Sequence, residues 1–286
     1  MQLGIFAKTF PGQNPNEVFQ AASASGYTAV QYNMACSGLP SMPDELPILA
    51  AEQVAAAAAA NDLSVVALSG TYNMIHPDPE QRARGHRRLA VLAASAAAMH
   101  TDHITLCTGT RDSKDQWRDH PDNRSASAWR DLLASMEVAI GIAEQYDITL
   151  GIEPELANVI NSAPAARRLL DELRSPRLKI VLDPANLFET ATLATQRRLI
   201  SEAVDLLAGS ILMGHAKDRT ATGEFTAAGK GVLDYDLYLA RLQRIDFRGP
   251  IVTHGLAPDE AGAVATFLRQ RLLHAGFEVE QPCLPQ

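Results

Sequence analysis

The residue pattern predicts an α/β fold, a closed (β/α)8 TIM barrel. Short β-rich runs alternate with longer Ala- and Leu-rich segments whose apolar residues recur at helical spacing, and eight such pairs fill the chain. Shared over 286 residues, each pair takes about 36 residues, the economy of a barrel. The rival, a doubly wound open sheet that binds a dinucleotide, lacks its phosphate turn, because no G-x-G-x-x-G follows the first run.

The first strand is expected over 2–7. Its helix follows over 15–25, with Asn14-Pro15 supplying an N-cap and a first-turn proline and Gly26 closing the end. The second strand, 29–33, leads to a helix over 45–61. The Ala-rich stretch from Val54 to Ala60 inside it favours a helix packed closely on a sheet, since Ala loses no rotamer entropy there. The third and fourth strands, 64–69 and 103–107, are β-branched runs preceding helical patterns over 79–99 and 125–146. The fifth and sixth, 149–152 and 179–182, enclose a helix over 163–174 that Ser162 caps and Pro176 follows, and the next helix is expected over 196–208. The seventh strand, 210–214, precedes a helix over 235–244 that Asp234 caps; the eighth, 250–253, precedes a helix over 259–275. No composition break or Gly/Ser linker divides the chain, so 1–275 is expected to be a single barrel and 276–286 a C-terminal tail.

Composition narrows the function. With 25 basic against 33 acidic residues the formal charge is −8, which argues against nucleic acid, whose binding draws on clustered Lys and Arg. Cys36, Cys107 and Cys283 are odd in number and form no C-x-x-C pair, as in a reduced compartment, so a cytoplasmic location is expected. No basic segment leads into an apolar stretch at the start, and no apolar run nears the ~18 residues of a membrane span, so no membrane partner is expected.

In a barrel the chemistry belongs at the carboxyl ends of the strands. All eight predicted strands deliver polar groups there: Lys8; Gln31 with Asn33; Asn73 with His76; Thr108 with Arg111; Glu153 with Glu155; Asp183 with Asn186; His215 with Lys217; and His254. Three successive strands end in Glu153, Asp183 and His215. Two carboxylates and an imidazole are ligand types for one divalent ion, Mn, Mg, Co or Zn, and no thiolate pair competes as a structural zinc cage. The alternative for each is structural: the carboxylates cap the following turns and His215 is a hydrogen-bonded rim residue. Strand alternation places His215 and Lys217 on one face, so Lys217 reaches either the site or its neighbour Asp218. Glu155 is expected to orient Lys217 or a substrate hydroxyl. The loop from 108 to 124, with Trp117, suits a partial lid, and Arg111 is its first candidate contact. Asn73 and His76 are candidates over the pocket. Gly229-Lys230-Gly231 is not a P-loop, since Gly follows the Lys, and is expected to be a turn.

Several segments, GTYNMIHPD (70–78), GIEPE (151–155), VLDPAN (181–186), GHAKD (214–218) and GKGVLDYDLYL (229–239), resemble the sugar phosphate isomerase/epimerase family of xylose isomerase-like TIM barrels. The resemblance implies that Glu153, Asp183 and His215 bind the metal, that Glu153 also exchanges a proton with the substrate, and that Asn186 contacts it. It further implies a small sugar or polyol substrate and a homodimer formed through the outer helices. The family's usual fourth ligand is a second Glu at the end of strand eight, whereas IVTHGL puts His254 there. Two carboxylates and two neutral imidazoles balance a divalent charge and leave the ion the stronger Lewis acid. The change also removes half of a paired-Glu epimerisation, with His254 left as ligand or as acid/base. Isomerisation, epimerisation-like proton transfer and lyase or dehydratase chemistry are all compatible. A non-catalytic sugar-binding barrel and an abasic-site endonuclease, which needs several ions and a basic groove, are the remaining alternatives.

Overall fold

The computed structural model describes residues 1–282. In chain order its strands are β1 (Leu3–Phe6), β2 (Ala29–Tyr32), β3 (Ser64–Ser69), β4 (His103–Cys107), β5 (Thr149–Glu153), β6 (Leu178–Leu182), β7 (Ile211–Ala216), β8 (Asp218–Arg219), β9 (Phe225–Thr226) and β10 (Ile251–Thr253). The helices are α1 (Pro15–Ala24), α2 (Ile48–Ala60), α3 (Pro79–Ala96), α4 (Ala126–Gln145), α5 (Ala163–Leu173), α6 (Leu193–Leu207), α7 (Tyr235–Arg244) and α8 (Ala261–His274). Eight parallel strands close in the order β1-β10-β7-β6-β5-β4-β3-β2, with the helices outside, as the alternation of patterns predicts; β8 and β9 form a separate antiparallel ribbon.

Local chemistry sets the helix ends. The side chains of Asn14, Asp78, Ser125, Ser162, Thr192 and Asp234 each accept a first-turn backbone N–H. The second helix starts at Ile48 rather than 45, because Pro47 sits extended at its N-cap (φ −60°, ψ 137°). Asp62, Asp147 and Asp246 hold the left-handed position after α2, α4 and α7, and the next residue in each case, Leu63, Ile148 or Phe247, is buried and donates back to the helix. Strand β7 runs through Ala216, two residues past its expected end, so His215 sits inside the ladder opposite Val252.

The main core fills the space between strands and helices. A second cluster, Ala67, Val181, Met213 and Val252, fills the barrel interior. Gly4 and Gly151 complete this floor: a Cβ on Gly4 would lie 3.1 Å from Val252, and one on Gly151 2.9 Å from Val181. Within the predicted tail, Phe277 is buried and Glu280 donates its N–H to the Met1 carbonyl; residues 283–286, with Cys283, lie outside the described residues. Among the described residues no helix is long and apolar enough to cross a membrane.

Candidate active site

Side chains alternate along a strand, so a residue two places past the barrel floor faces the same interior, one layer higher. Glu153 stands two past Gly151, Asp183 two past Val181, His215 two past Met213 and His254 two past Val252. These neighbours in the barrel order converge: one ligand atom from each of Glu153, Asp183, His215 and His254 lies within 4.8 Å of all the others. Glu153 is 8% exposed, Asp183 1% and His215 3%.

His215 Nδ1 lies 3.1 Å from Glu153 Oε1, and His254 Nε2 lies 3.1 Å from Asp183 Oδ2. The two imidazoles are 4.6 Å apart, centroid to centroid. Asp183 Oδ1 accepts from Ala185 N–H and caps the turn Pro184–Asn186, as its structural alternative expected, while Oδ2 stays in the cluster. Burial alone pushes the Glu153 carboxyl up and the His215 imidazolium down, but their mutual attraction and hydrogen bond outweigh it. Glu153 therefore titrates below its ordinary range and His215 above. For Asp183, burial is outweighed by Lys217 and His254, which hold it well below the carboxylate range; burial dominates for His254 and keeps it neutral. Two carboxylates and two imidazoles, all aimed into one space, fit a divalent ion that takes oxygen and nitrogen donors.

A profile of xylose isomerase-like TIM barrels matches residues 19–271. The chain belongs to that family. No curated protein matches it in sequence. Among solved structures, this xylose isomerase-like barrel is similar to 3-keto-D-glucoside 4-epimerase YcjR from E. coli: TM-score 0.75 and 18% identity over 94% of this chain and 99% of that one. D-psicose 3-epimerase from Clostridium cellulolyticum H10, a structure with D-tagatose, gives TM-score 0.74 and 14% identity over 95% and 99%. A xylose isomerase domain protein from Planctomyces limnophilus gives 0.71 and 20% over 96% and 98%.

Around the quartet, the xylose isomerase-like barrel arranges a second set of polar groups. Lys217 Nζ lies 3.0 Å from Asn186 Oδ1 and 3.4 Å from Asp183 Oδ2, and the Asn186 amide donates to Glu153 Oε1 at 3.0 Å. Burial of the Lys217 ammonium is outweighed by Asp183, so it stays charged. The exposed Phe225 ring, on β9, lies 3.7 Å from Lys217 Nζ and covers it. Glu155 is brought to the same space, where burial and then Glu153 push its carboxyl up to about 8. The cavity holds about 380 Å³, and Lys8, Asn33, Ser69, Thr71 and Trp117 line it along with Glu153, Glu155, His215 and His254.

Three residues expected over the cavity face elsewhere. Arg111 Nη2 donates to Asp131 at 2.7 Å and Nη1 to the Ile75 carbonyl, so its guanidinium braces the loop after β4. Asn73 donates to the Thr110 carbonyl and accepts from Thr110 N–H, and His76 bonds the Ser113 carbonyl and Asp78 N–H. All three link the loop after β3 to the loop after β4; polar side chains in loops serve backbone groups as readily as substrate. Asp218 does not pair with Lys217. Its carboxylate accepts from Arg219, Gly229 and Leu233 N–H and pins the Gly229-Lys230-Gly231 turn against the ribbon. That role follows from ribbon geometry, for which two-residue strands leave no periodic signal.

Proposed function

We propose that the chain is a divalent-metal-dependent isomerase or epimerase-like enzyme that moves a proton next to the carbonyl of a sugar, polyol or derived keto compound. The observation that carries this reading is the convergence of Glu153, Asp183, His215 and His254 at the floor of a cavity lined by hydroxyl and amide groups. The sugar epimerases among the structural neighbours support the substrate class.

Glu153, Asp183, His215 and His254 would hold the ion, which when bound supplies Lewis acidity toward a carbonyl or hydroxyl oxygen. Glu153 is the base. Its Oε1 is engaged by Asn186 and His215, while Oε2 makes no hydrogen bond among the described residues and is free to take a proton. Removing a proton beside a carbonyl builds negative charge on oxygen. The Lys217 ammonium and the Asn186 amide, fixed to each other beside Glu153, are preorganised donors for that charge. The floor beneath them is apolar and buried, a low-dielectric surrounding that strengthens both contacts.

Inversion at one carbon calls for a second group on the opposite face. His254 stands where the family places a second Glu, and its Nε2 is committed to Asp183. This arrangement favours one-base chemistry, in which Glu153 returns the proton to the adjacent carbon on the same face. Elimination of a hydroxyl by the same base is the second reading.

The test is isotope exchange. The Mn2+-loaded protein, incubated in 2H2O with a panel of ketoses and keto-glycosides, incorporates deuterium at the carbon beside the carbonyl; EDTA or Glu153→Gln abolishes the exchange. A protein that binds Mn2+ yet exchanges no member of the panel is a binding barrel, and the proposal is then wrong.

A further inference from the structure

On the Nε2 side of His215 the hydrogen-bond directions follow from the neighbours. The Leu68 carbonyl can only accept, so the Thr105 hydroxyl, 3.4 Å away, donates its one hydrogen there. Thr105 Oγ1 therefore accepts from Gln31 Nε2 at 2.9 Å. That fixes which way the Gln31 amide points: its NH2 faces Thr105 and its Oε1 faces His215 Nε2, at 2.8 Å. An amide oxygen has no hydrogen, so the hydrogen in this bond belongs to Nε2. The other ring nitrogen, Nδ1, is the one aimed at Glu153 and the ligand quartet.

We infer that Gln31 is a positioning residue that locks His215 into its Nε2–H tautomer and so presents Nδ1 as the donor atom for the metal. The inference rests on the metal reading above. Gln31 and Thr105 are 5% and 3% exposed, so little of either side chain is open to the cavity they border. The rungs span β3, β4, β2 and β7, strands on different sides of the barrel mouth, so closing the barrel is what assembles the chain. An amide turned the other way would offer NH2 to Nε2, force the hydrogen onto Nδ1 and block coordination. Thr105 prevents that rotation. Metal-ligating histidines commonly donate their second nitrogen to a fixed acceptor, and loss of that acceptor weakens metal binding by about 10- to 100-fold.

Isothermal titration of the metal-free protein with Co2+, with the Co2+ d–d spectrum as a second readout, tests the inference. Gln31→Leu binds Co2+ about 10- to 100-fold more weakly than the parent. Gln31→Glu, which still accepts from Nε2–H, binds at least as tightly as the parent. Thr105→Val, which leaves Gln31 in place without its acceptor, weakens binding in the same direction and serves if Gln31→Leu does not fold. In the Zn2+-loaded parent, two-bond 1H–15N spectra show His215 as the Nε2–H tautomer. Parental Co2+ affinity in both Gln31→Leu and Thr105→Val, or an Nδ1–H tautomer in the loaded parent, overturns the inference and leaves the metal site standing. A parent that takes up no Co2+ at all overturns both.

Discussion

Replacing Lys217 with Met tests whether the buried charges are mutually dependent. The ammonium lies 3.4 Å from Asp183 Oδ2, with side-chain exposures of 6% and 0%. At that distance and an effective dielectric of about 20 the attraction is about 5 kcal/mol. Breaking a buried pair from one side costs about 3–5 kcal/mol, because the remaining charge stays desolvated. His254 still donates toward Asp183 and relieves part of this, so the lower end, about 3 kcal/mol, is expected for the metal-free variant. For a chain of this size that lowers Tm by roughly 6–12 °C. Calorimetry with and without Mn2+ separates the terms: a cation bound beside Asp183 would do part of what Lys217 did, so Mn2+ is expected to raise the Tm of Lys217→Met by more than that of the parent. A metal-free variant as stable as the parent, or equal Mn2+ increments in both, refutes the reasoning.

Arg111→Ala is expected to leave KM near the parental value and to lower stability by about 1–2 kcal/mol in urea unfolding, since the Asp131 partner is partly exposed; a large KM rise with unchanged stability contradicts the bracing role. Asp62→Gly relieves a left-handed backbone (φ 53°) after α2 and raises stability by about 0.5–1 kcal/mol, read from the urea midpoint; a fall would mean that the Asp side chain contributes there. Burial pushes the Cys36 thiol up to about 11, so only about one molecule in a thousand carries its thiolate at pH 8. In a Cys107→Ser/Cys283→Ser protein, whose one remaining thiol is Cys36, Ellman's reagent then labels only on unfolding, and rapid native labelling would contradict its burial. His86, whose Nε2 is buried without a partner, is held below its ordinary range by burial and by Arg82. The unfolded chain protonates there first, so stability drops as pH falls from about 6.5 through the folded value. His86→Leu shows a smaller drop between pH 7.5 and 5.5, and an equal drop would assign the acid sensitivity elsewhere.

The barrel was legible because the strands are short, mostly buried and largely apolar runs followed by polar residues, and because Asn14, Ser162 and Asp234 announce helix starts by cap chemistry. The quartet was legible for a related reason: a strand end inside a barrel leaves little choice of direction, so Glu153, Asp183, His215 and His254 had to converge. Loop residues carry no such constraint. Asn73, His76 and Arg111 have the polarity of ligands, yet their partners are carbonyls and a carboxylate distant in sequence, which nothing local encodes. Gln31 read only as one polar strand end among eight, because its meaning lies in hydrogen-bond directions set by Thr105 and Leu68 on other strands.

The floor of Gly4, Ala67, Gly151, Val181, Met213 and Val252 supports the residues above it without touching their chemistry. Six of the eight barrel strands thus carry a residue two places above a floor position: Phe6, Ser69, Glu153, Asp183, His215 and His254. A library varying only Phe6, Ser69 and His254, the cavity-lining positions among them other than Glu153 and His215, explores new reactivity while the floor beneath is left undisturbed.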